Sequence, residues 1–391
     1  MDSYLKEAHN LFPFTQGLRR DFHAHPELGF REVRTAGIVA NQLVDLNMEV
    51  HTGIAETGVM ALLEGSGPGP VVLLRFDMDA LPIQETTGAE YASQIPGVMH
   101  ACGHDGHTAI GLSVAKLLHT HRQEFPGTVK FVFQPAEEGL GGAQKMVSGG
   151  ILANPKPDIT LALHLWNDKP LGWFGITRGP IMAAAEIFRV VIKGRGGHGA
   201  SPHLTIDPVA TTAQVINSLQ TIVSRNVSPL DTAVVTVSSL NAGTAFNVIP
   251  DYVEIKGTIR TYKPEVRRVV LKRFKDIVEG TCKALGCEAE IELEKLTPAV
   301  QNDSEIAKKV AEIASEIFPE GQIDNTFHTM GSEDMAYMME SIPGCYFFVG
   351  SANRESGLDG PHHSSRFDFD EQALPAAVGL MVSCAMRFLN S

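Results

Sequence analysis

Cysteine is scarce in this chain, positive charge is in deficit, and no apolar run is long. The five cysteines, at 102, 282, 287, 345 and 384, are spread through 391 residues and form no C-x-x-C pair. An odd, thinly spaced set excludes a disulfide scaffold and fits a reducing compartment, so a cytoplasmic protein is expected. Lys and Arg number 32 against 45 Asp and Glu, a formal net charge of −13. A surface that acidic argues against nucleic acid or an anionic membrane as the main partner. No segment approaches the ~18 apolar residues of a membrane span. The first residues, MDSYLKEAHNLF, lack the apolar stretch of a signal peptide. Internal repeats and long polar tracts are also missing, and a hydrophobic share of 43% is enough for real cores. At roughly 100–200 residues per domain, the length suggests two or three domains.

Histidine is what the chain has in quantity. There are fifteen, and many are clustered: His23 with His25, His100 with His104 and His107, His119 with His121, His198 with His203, and His362 with His363. Such clusters beside carboxylates and one cysteine point to a metal enzyme.

Three continuous apolar runs, 71–76 (VVLLRF), 128–133 (TVKFVF) and 159–163 (ITLAL), read as buried parallel strands. Helical periods lie between them, as in 107–121. The pattern predicts an α/β fold, a central mostly parallel sheet with helices on both faces. Each run ends in a loaded segment: Asp77 to Asp79, then Glu137 and Glu138, then His164. Sites in open α/β sheets collect beyond the carboxyl ends of strands.

The middle of the chain changes order. An alternating strand at 186–193 is followed by a helix capped by Asp207 with Pro208 at its first position, running to about Arg225. Strands at 232–239 and 252–262, a helix at 264–285 closed by Gly286, and a strand at 289–293 complete a β-α-β-β-α-β unit of ferredoxin-like type. This predicts an inserted α+β domain at 184–295 within a discontinuous catalytic domain, 1–183 and 296–391. After it come a helix from about Ser304, a strand at 345–349 and a last helix from about Glu371.

The segment HACGHDGH (100–107) places Cys102 and His104 two apart, able to ligate one metal or bridge two. In QPAEEG (134–139), Glu137 and Glu138 would repel one another without a cation beside them. One could bind metal while the other serves as general base. His164 in LALHLW and either His362 or His363 would bring the ligands to five, a number suited to two divalent cations. GRGGHG (194–199) follows a strand, yet no helix opens at its third glycine and no acid stands about twenty residues on, so it is no dinucleotide motif. No phosphate-loop motif exists either. The loop is read as flexible, presenting His198 and His203; it could deliver a donor to a developing oxyanion, and His203 is taken as a substrate contact.

HAHPEL (23–28), RFDMDALP (75–82), HACGHDGHT (100–108), QPAEEG, GRGGHGASPH (194–203) and HSSRFDF (363–369) together resemble the aminoacylase/carboxypeptidase-type metallohydrolases. The resemblance is to the branch of hippurate hydrolases, N-acyl-L-amino-acid amidohydrolases and indoleacetyl-amino-acid hydrolases, and spans nearly the whole chain. It implies a zinc-peptidase-like catalytic domain and a lid/dimerisation insert, hence a homodimer or higher homo-oligomer. It implies two divalent metal ions, zinc or manganese with cobalt or nickel admissible, held by Cys102, His104, Glu138, His164 and His363. In relatives the last ligand stands three residues before the Arg of an R-F/Y-D-F motif, which selects His363. Glu137 would be the general base and Asp79 the carboxylate that orients a ligand. Other branches carry a metal-binding His where this chain has Asp77. His198 would be the lid histidine presented across a dimer interface. Asn247 (FNVIP) and Arg260 (GTIRTY) would hold the carboxylate of a small substrate, an N-acyl amino acid whose amide is cleaved. A dipeptidase or carboxypeptidase of the same family is the alternative. Ser365, where many members have Pro, is expected to be harmless.

Overall fold

The computed structural model describes residues 3–391. The chain forms two compact units. The first comprises residues 3–181, Gln301–His328 and Asp334–Ser391, and the second Met182–Val300 with Thr329–Glu333.

The first unit is built on an eight-stranded sheet. Its strands are β1 (Glu49–Ile54), β2 (Gly58–Glu64), β3 (Val71–Asp77), β4 (Thr128–Gln134), β5 (Ile159–Pro170), β6 (Trp173–Gly175), β7 (Gln322–Asp324) and β8 (Gly344–Ala352). They lie in the order β1-β2-β4-β3-β5-β8-β6-β7. The central pairs β4–β3, β3–β5 and β5–β8 are parallel, as is β6–β7. The pairs β1–β2, β2–β4 and β8–β6 are antiparallel. Continuous apolar runs marked the parallel centre because both faces of those strands are covered. The edge hairpin β1–β2 escaped the sequence reading, because β1 is largely exposed and carries no buried alternation.

Helices α2 (His104–Thr120) and α3 (Ala373–Leu389) pack on this sheet and on each other, and α1 (Phe12–Ala24) packs on both of them. All but a few positions of α2 are buried. Its approach to the sheet requires a glycine: a Cβ at Gly111 would stand 2.7 Å from both Phe76 and Phe133. The helix expected to begin at His107 begins at His104, so the cysteine–histidine segment lies at its amino end.

One expectation is corrected. His164 does not end its strand, because β5 continues to Pro170. Pairing of β5 with β3 stops at Ala162, and beyond that point β5 runs on through its register with β8. His164 therefore lies just past the last β3–β5 pair, although it sits inside a longer strand.

The second unit is a four-stranded antiparallel sheet in the order Ala233–Ala242, Tyr252–Thr261, Ala184–Lys193, Glu288–Thr297. Helices Pro208–Thr221 and Pro264–Ala284 complete the β-α-β-β-α-β order. Asp207 caps the first helix, accepting from the amides of Val209 and Ala210. The α-helix stops at Thr221, short of Arg225, and a π-turn at Ile222–Asn226 continues it. Phe188, Val190, Val215, Leu219, Val270, Phe274 and Val278 form this unit's core.

Candidate metal centre and active site

Five stretches of the first unit deliver its reactive side chains. β3 runs out through Asp77 to Asp79. β4 leads into the turn bearing Glu137 and Glu138. Cys102 precedes α2 and His104 opens it, while β5 carries His164. His363 arrives from the loop before α3, with φ +62, a left-handed conformation few residues but glycine adopt. Its N–H is tied to the carbonyl of Ala101 at 2.8 Å.

These side chains meet in overlapping trios. Ligand atoms of Cys102, His104 and His164 lie within 4.8 Å of one another, as do those of Cys102, Glu138 and His363, and those of His104, Glu137 and Glu138. Cys102 Sγ is 3.4 Å from His164 Nε2, and His363 Nε2 is 3.1 Å from Glu138 Oε1. Within these three trios Cys102, His104 and Glu138 each appear twice, an arrangement that suits two neighbouring cations with shared ligands, and His104 also meets Asp77 and His107 in a further trio.

The surroundings aim the imidazoles. His104 Nδ1 donates to the Asp79 carbonyl at 2.9 Å and lies 3.2 Å from its carboxylate, leaving Nε2 to face inward. The other Asp79 oxygen accepts the Glu138 amide at 3.0 Å. Asp79 thus holds one histidine and the glutamate turn together. His164 Nδ1 donates to the Leu165 carbonyl at 2.6 Å, which turns its Nε2 toward Cys102. Hydrogen bonds that hold the outer nitrogen set the tautomer and orientation that a metal needs. His107 is committed elsewhere. Its Nε2 accepts the Leu165 amide at 2.9 Å, so Nδ1 carries the proton and donates to Asp77 at 2.6 Å. His362 Nε2 accepts the Asn167 amide at 3.1 Å, whereas His363 turns its ring to Glu138.

The protonation pattern is that of a centre whose charges want a cation. Burial, and secondarily Glu138, push the Cys102 thiol up. Burial works against charge on His104, but Asp77 and Cys102 outweigh it and raise this histidine well above its usual value. Hydrogen bonds to Cys102 and then Glu138 raise His363 to about 10. Burial lowers His164 well below its ordinary value and His362 to about 3. His104 Nε2 is buried and has no hydrogen-bond partner, while Glu138 Oε1, also buried, meets the ring of His363. An orphaned imidazole nitrogen in a nest of thiol, imidazole and carboxylate fits divalent cations.

Several supporting residues were not singled out from the sequence. Arg75 interrupts the apolar run of β3 and is buried. It donates to Asp77 at 2.6 Å and to Gln134 at 2.8 Å. Gln134 donates to Asp334 at 2.6 Å, and the Asp334 amide lies 3.4 Å from Glu137 Oε1. Burial opposes charge on Asp77, yet His104, Arg75 and His107 hold it well below the usual carboxylate range. A charged residue inside a continuous strand was the available signal, since burying it demands partners. His23 of the HAHPEL segment meets Asp105 at 2.7 Å, and Arg19 meets the same carboxylate at 2.9 Å. That segment braces the amino end of α2.

The remaining candidates lie in the second unit. His198 is exposed on the short strand Gly197–His198, paired with Val248, and Asn247 accepts the Gly199 amide at 2.8 Å. His203 is exposed in the 3-10 turn Pro202–Leu204. Arg260 is half-buried next to the end of an inner strand, not on an edge. Its guanidinium donates to the Thr258 hydroxyl and the Ile259 carbonyl. Burial lowers it, with Glu186 the charge that opposes.

Residues 73–387 match peptidase family M20/M25/M40. The chain is 41% identical over 375 residues to an N-acetylcysteine deacetylase of Bacillus subtilis, covering 96% of each. It is 39% identical over 389 residues to an IAA-amino acid hydrolase of Arabidopsis thaliana, covering 98% of this chain and 88% of that one. A crystal structure from Bacillus subtilis, described as a dinuclear metal binding peptidase of family M20, superposes with a TM-score of 0.85 at 36% identity, over 97% of this chain and 99% of that one. The chain belongs to peptidase family M20/M25/M40 and is a hydrolase acting on amide bonds.

Proposed function

We propose that this hydrolase cleaves the amide of N-acyl-L-amino acids, releasing a carboxylic acid and a free amino acid, at a centre of two divalent cations. The observation that carries the reading is the convergence of Cys102, His104, Glu138, His164 and His363 about the orphaned, buried Nε2 of His104, with Glu137 beside them. The relatives named for acylated amino acids support the substrate class.

Cys102, His104, Glu138, His164 and His363 hold the cations, and Asp79 orients His104. When bound, the cations acidify water and polarise the acyl carbonyl. Glu137 takes a proton from the attacking water and returns it to the leaving nitrogen, the double use expected of a general base. His198 donates to the oxyanion. Arg260 and Asn247 hold the free carboxylate, with His203 a further substrate contact. A half-buried guanidinium bonded only to neutral oxygens suits this clamp, because Arg offers a carboxylate two parallel donors. Residues 184–295 act as lid and dimerisation domain.

The test compares acetyl, benzoyl and indoleacetyl amino acids with their C-terminal amides, under zinc, manganese, cobalt and nickel in turn. Wild type prefers the free acid, and Arg260→Ala loses that preference, with kcat/KM falling about 10–150-fold for a charge-assisted pair of about 1.5–3 kcal/mol. Equal handling of acid and amide by wild type defeats the clamp. A peptide substrate is the second reading, favoured by the solved relative described as a peptidase. Faster turnover of dipeptides than of acyl amino acids would establish it.

A further inference from the structure

Glu32 is fully buried and serves none of the chemistry above. It occupies the N-cap position of the helix Val33–Asp45, yet its side chain caps nothing there. Glu27 does that work, accepting the amides of Arg34 and Thr35 at 2.9 and 2.8 Å. Glu32 reaches elsewhere. Its Oε2 accepts the Thr57 hydroxyl at 2.5 Å, and its Oε1 accepts the backbone N–H of Ala136 at 2.9 Å.

Ala136 is an unusual residue to hold. It has φ +55, in the region that disfavours any side chain with a Cβ, and it immediately precedes Glu137 and Glu138. Its carbonyl accepts the Gly142 amide at 3.1 Å. The chain returns so tightly that a Cβ at Gly142 would stand 1.7 Å from the Pro135 carbonyl oxygen. Both sides of the strained residue are therefore tied, one by its own loop and one by a carboxylate 104 positions away. Such conformations persist only where surrounding groups over-determine them.

We propose that Glu32 is a positioning residue of the glutamate turn: its carboxylate fixes the Ala136 amide, and so sets the direction in which Glu137 and Glu138 leave the end of β4. This rests on the reading of Glu137 as base and Glu138 as ligand. It also gives the segment HPELGFRE (25–32) a task, with Glu27 building the helix from whose start Glu32 reaches the turn.

The experiment uses the full chain in four forms: wild type, Glu32→Gln, Glu32→Ala, and Glu32→Ala combined with Ala136→Gly. Turnover is measured on the fastest substrate of the panel above. Amide hydrogen exchange over 136–142 is followed in the metal-free protein, and zinc affinity by competition with a chelator. Glu32→Ala lowers kcat about 10–100-fold, the scale of a misplaced reacting group, with KM little changed. Exchange over 136–142 accelerates and zinc binds more weakly. Glu32→Gln keeps most of the turnover, because its amide oxygen still accepts from Ala136. The Ala136→Gly background restores part of the loss, since glycine enters positive φ without help. Unchanged kcat and exchange in Glu32→Ala, or a Gln variant as impaired as Ala, overturns the proposal. If Glu32→Ala does not fold, Thr57→Val, which removes only the hydroxyl fixing the carboxylate, takes its place under the same criteria. Glu137→Gln separates the two ideas. Full turnover in that variant refutes the base assignment, while the exchange result still decides whether Glu32 holds the turn.

Discussion

Glu137 and Glu138 are adjacent, yet their surroundings differ. Glu138 takes its direction from Asp79 through its own amide and faces His363, whereas Glu137 lies against the Asp334 amide. Glu137→Gln should therefore keep both metals and lose turnover by about 10²–10⁴, the usual worth of a positioned base. Glu138→Gln should lose metal occupancy as well. Metal analysis of the two purified variants, set beside their rates, checks this. A metal-depleted Glu137→Gln with a fully loaded Glu138→Gln would reverse the roles. The neighbouring histidines show the same dependence on partners. His362 and His363 are chemically identical in sequence, and a backbone amide from Asn167 occupies the first.

Helices and strands here are held by contacts the local pattern does not display. The first helix, Ser3–Asn10, buries Leu5 and Ala8 and is also tied through Glu7. His121, at the end of α2, meets Glu7 at 2.8 Å through Nε2 and Glu124 at 2.7 Å through Nδ1. Two carboxylates on two ring nitrogens select the imidazolium. Burial works against that charge, but Glu7 and Glu124 more than compensate and raise this histidine. A raised histidine stabilises fully below its unfolded value of about 6.5, and the contribution is lost as pH rises through the folded value. Protection of 3–10 in hydrogen exchange, corrected for intrinsic rates, should therefore decline as pH climbs above about 6.5. In His121→Gln the decline should be absent, and an identical decline there would remove His121 as its cause. Residue pattern was sufficient for β3, β4, α2 and the helices of the second unit. It failed for β1, for the short strands β6 and β7, and for the far half of β5, whose course is set by pairing partners.

Each of the two units has its own hydrophobic core, the first around the mixed sheet and the second around Phe188, Val215 and Phe274. The proposed pairing of copies through the second unit has a direct test in mixed oligomers. His198→Ala protomers are mixed with Glu137→Gln protomers and subunit exchange is verified by mass. If His198 serves its partner, a mixed dimer has one cleft with both defects and one intact, and activity returns. If it serves its own chain, every cleft keeps one defect. Exchange without recovery therefore rejects service across the interface.

Apolar runs and histidine clusters pointed to a metal enzyme on an α/β sheet, and the resemblance of its motifs to a metallohydrolase family added the reaction, because the chemistry needs particular side chains and those chains are rare enough to stand out. Cys102 with His104, and Glu137 with Glu138, are local in sequence and could be named from it. What only the tertiary structure decided is which atoms of those residues are free. His107 is as good a ligand as His104 on paper, but Asp77 and the Leu165 amide use both its nitrogens. Arg75, Asp334 and Glu32 act from other strands and loops, up to 259 positions from their partners. A hydrogen bond between residues so distant in sequence leaves no periodicity to read, and it exists only once the sheet has brought its strands into register.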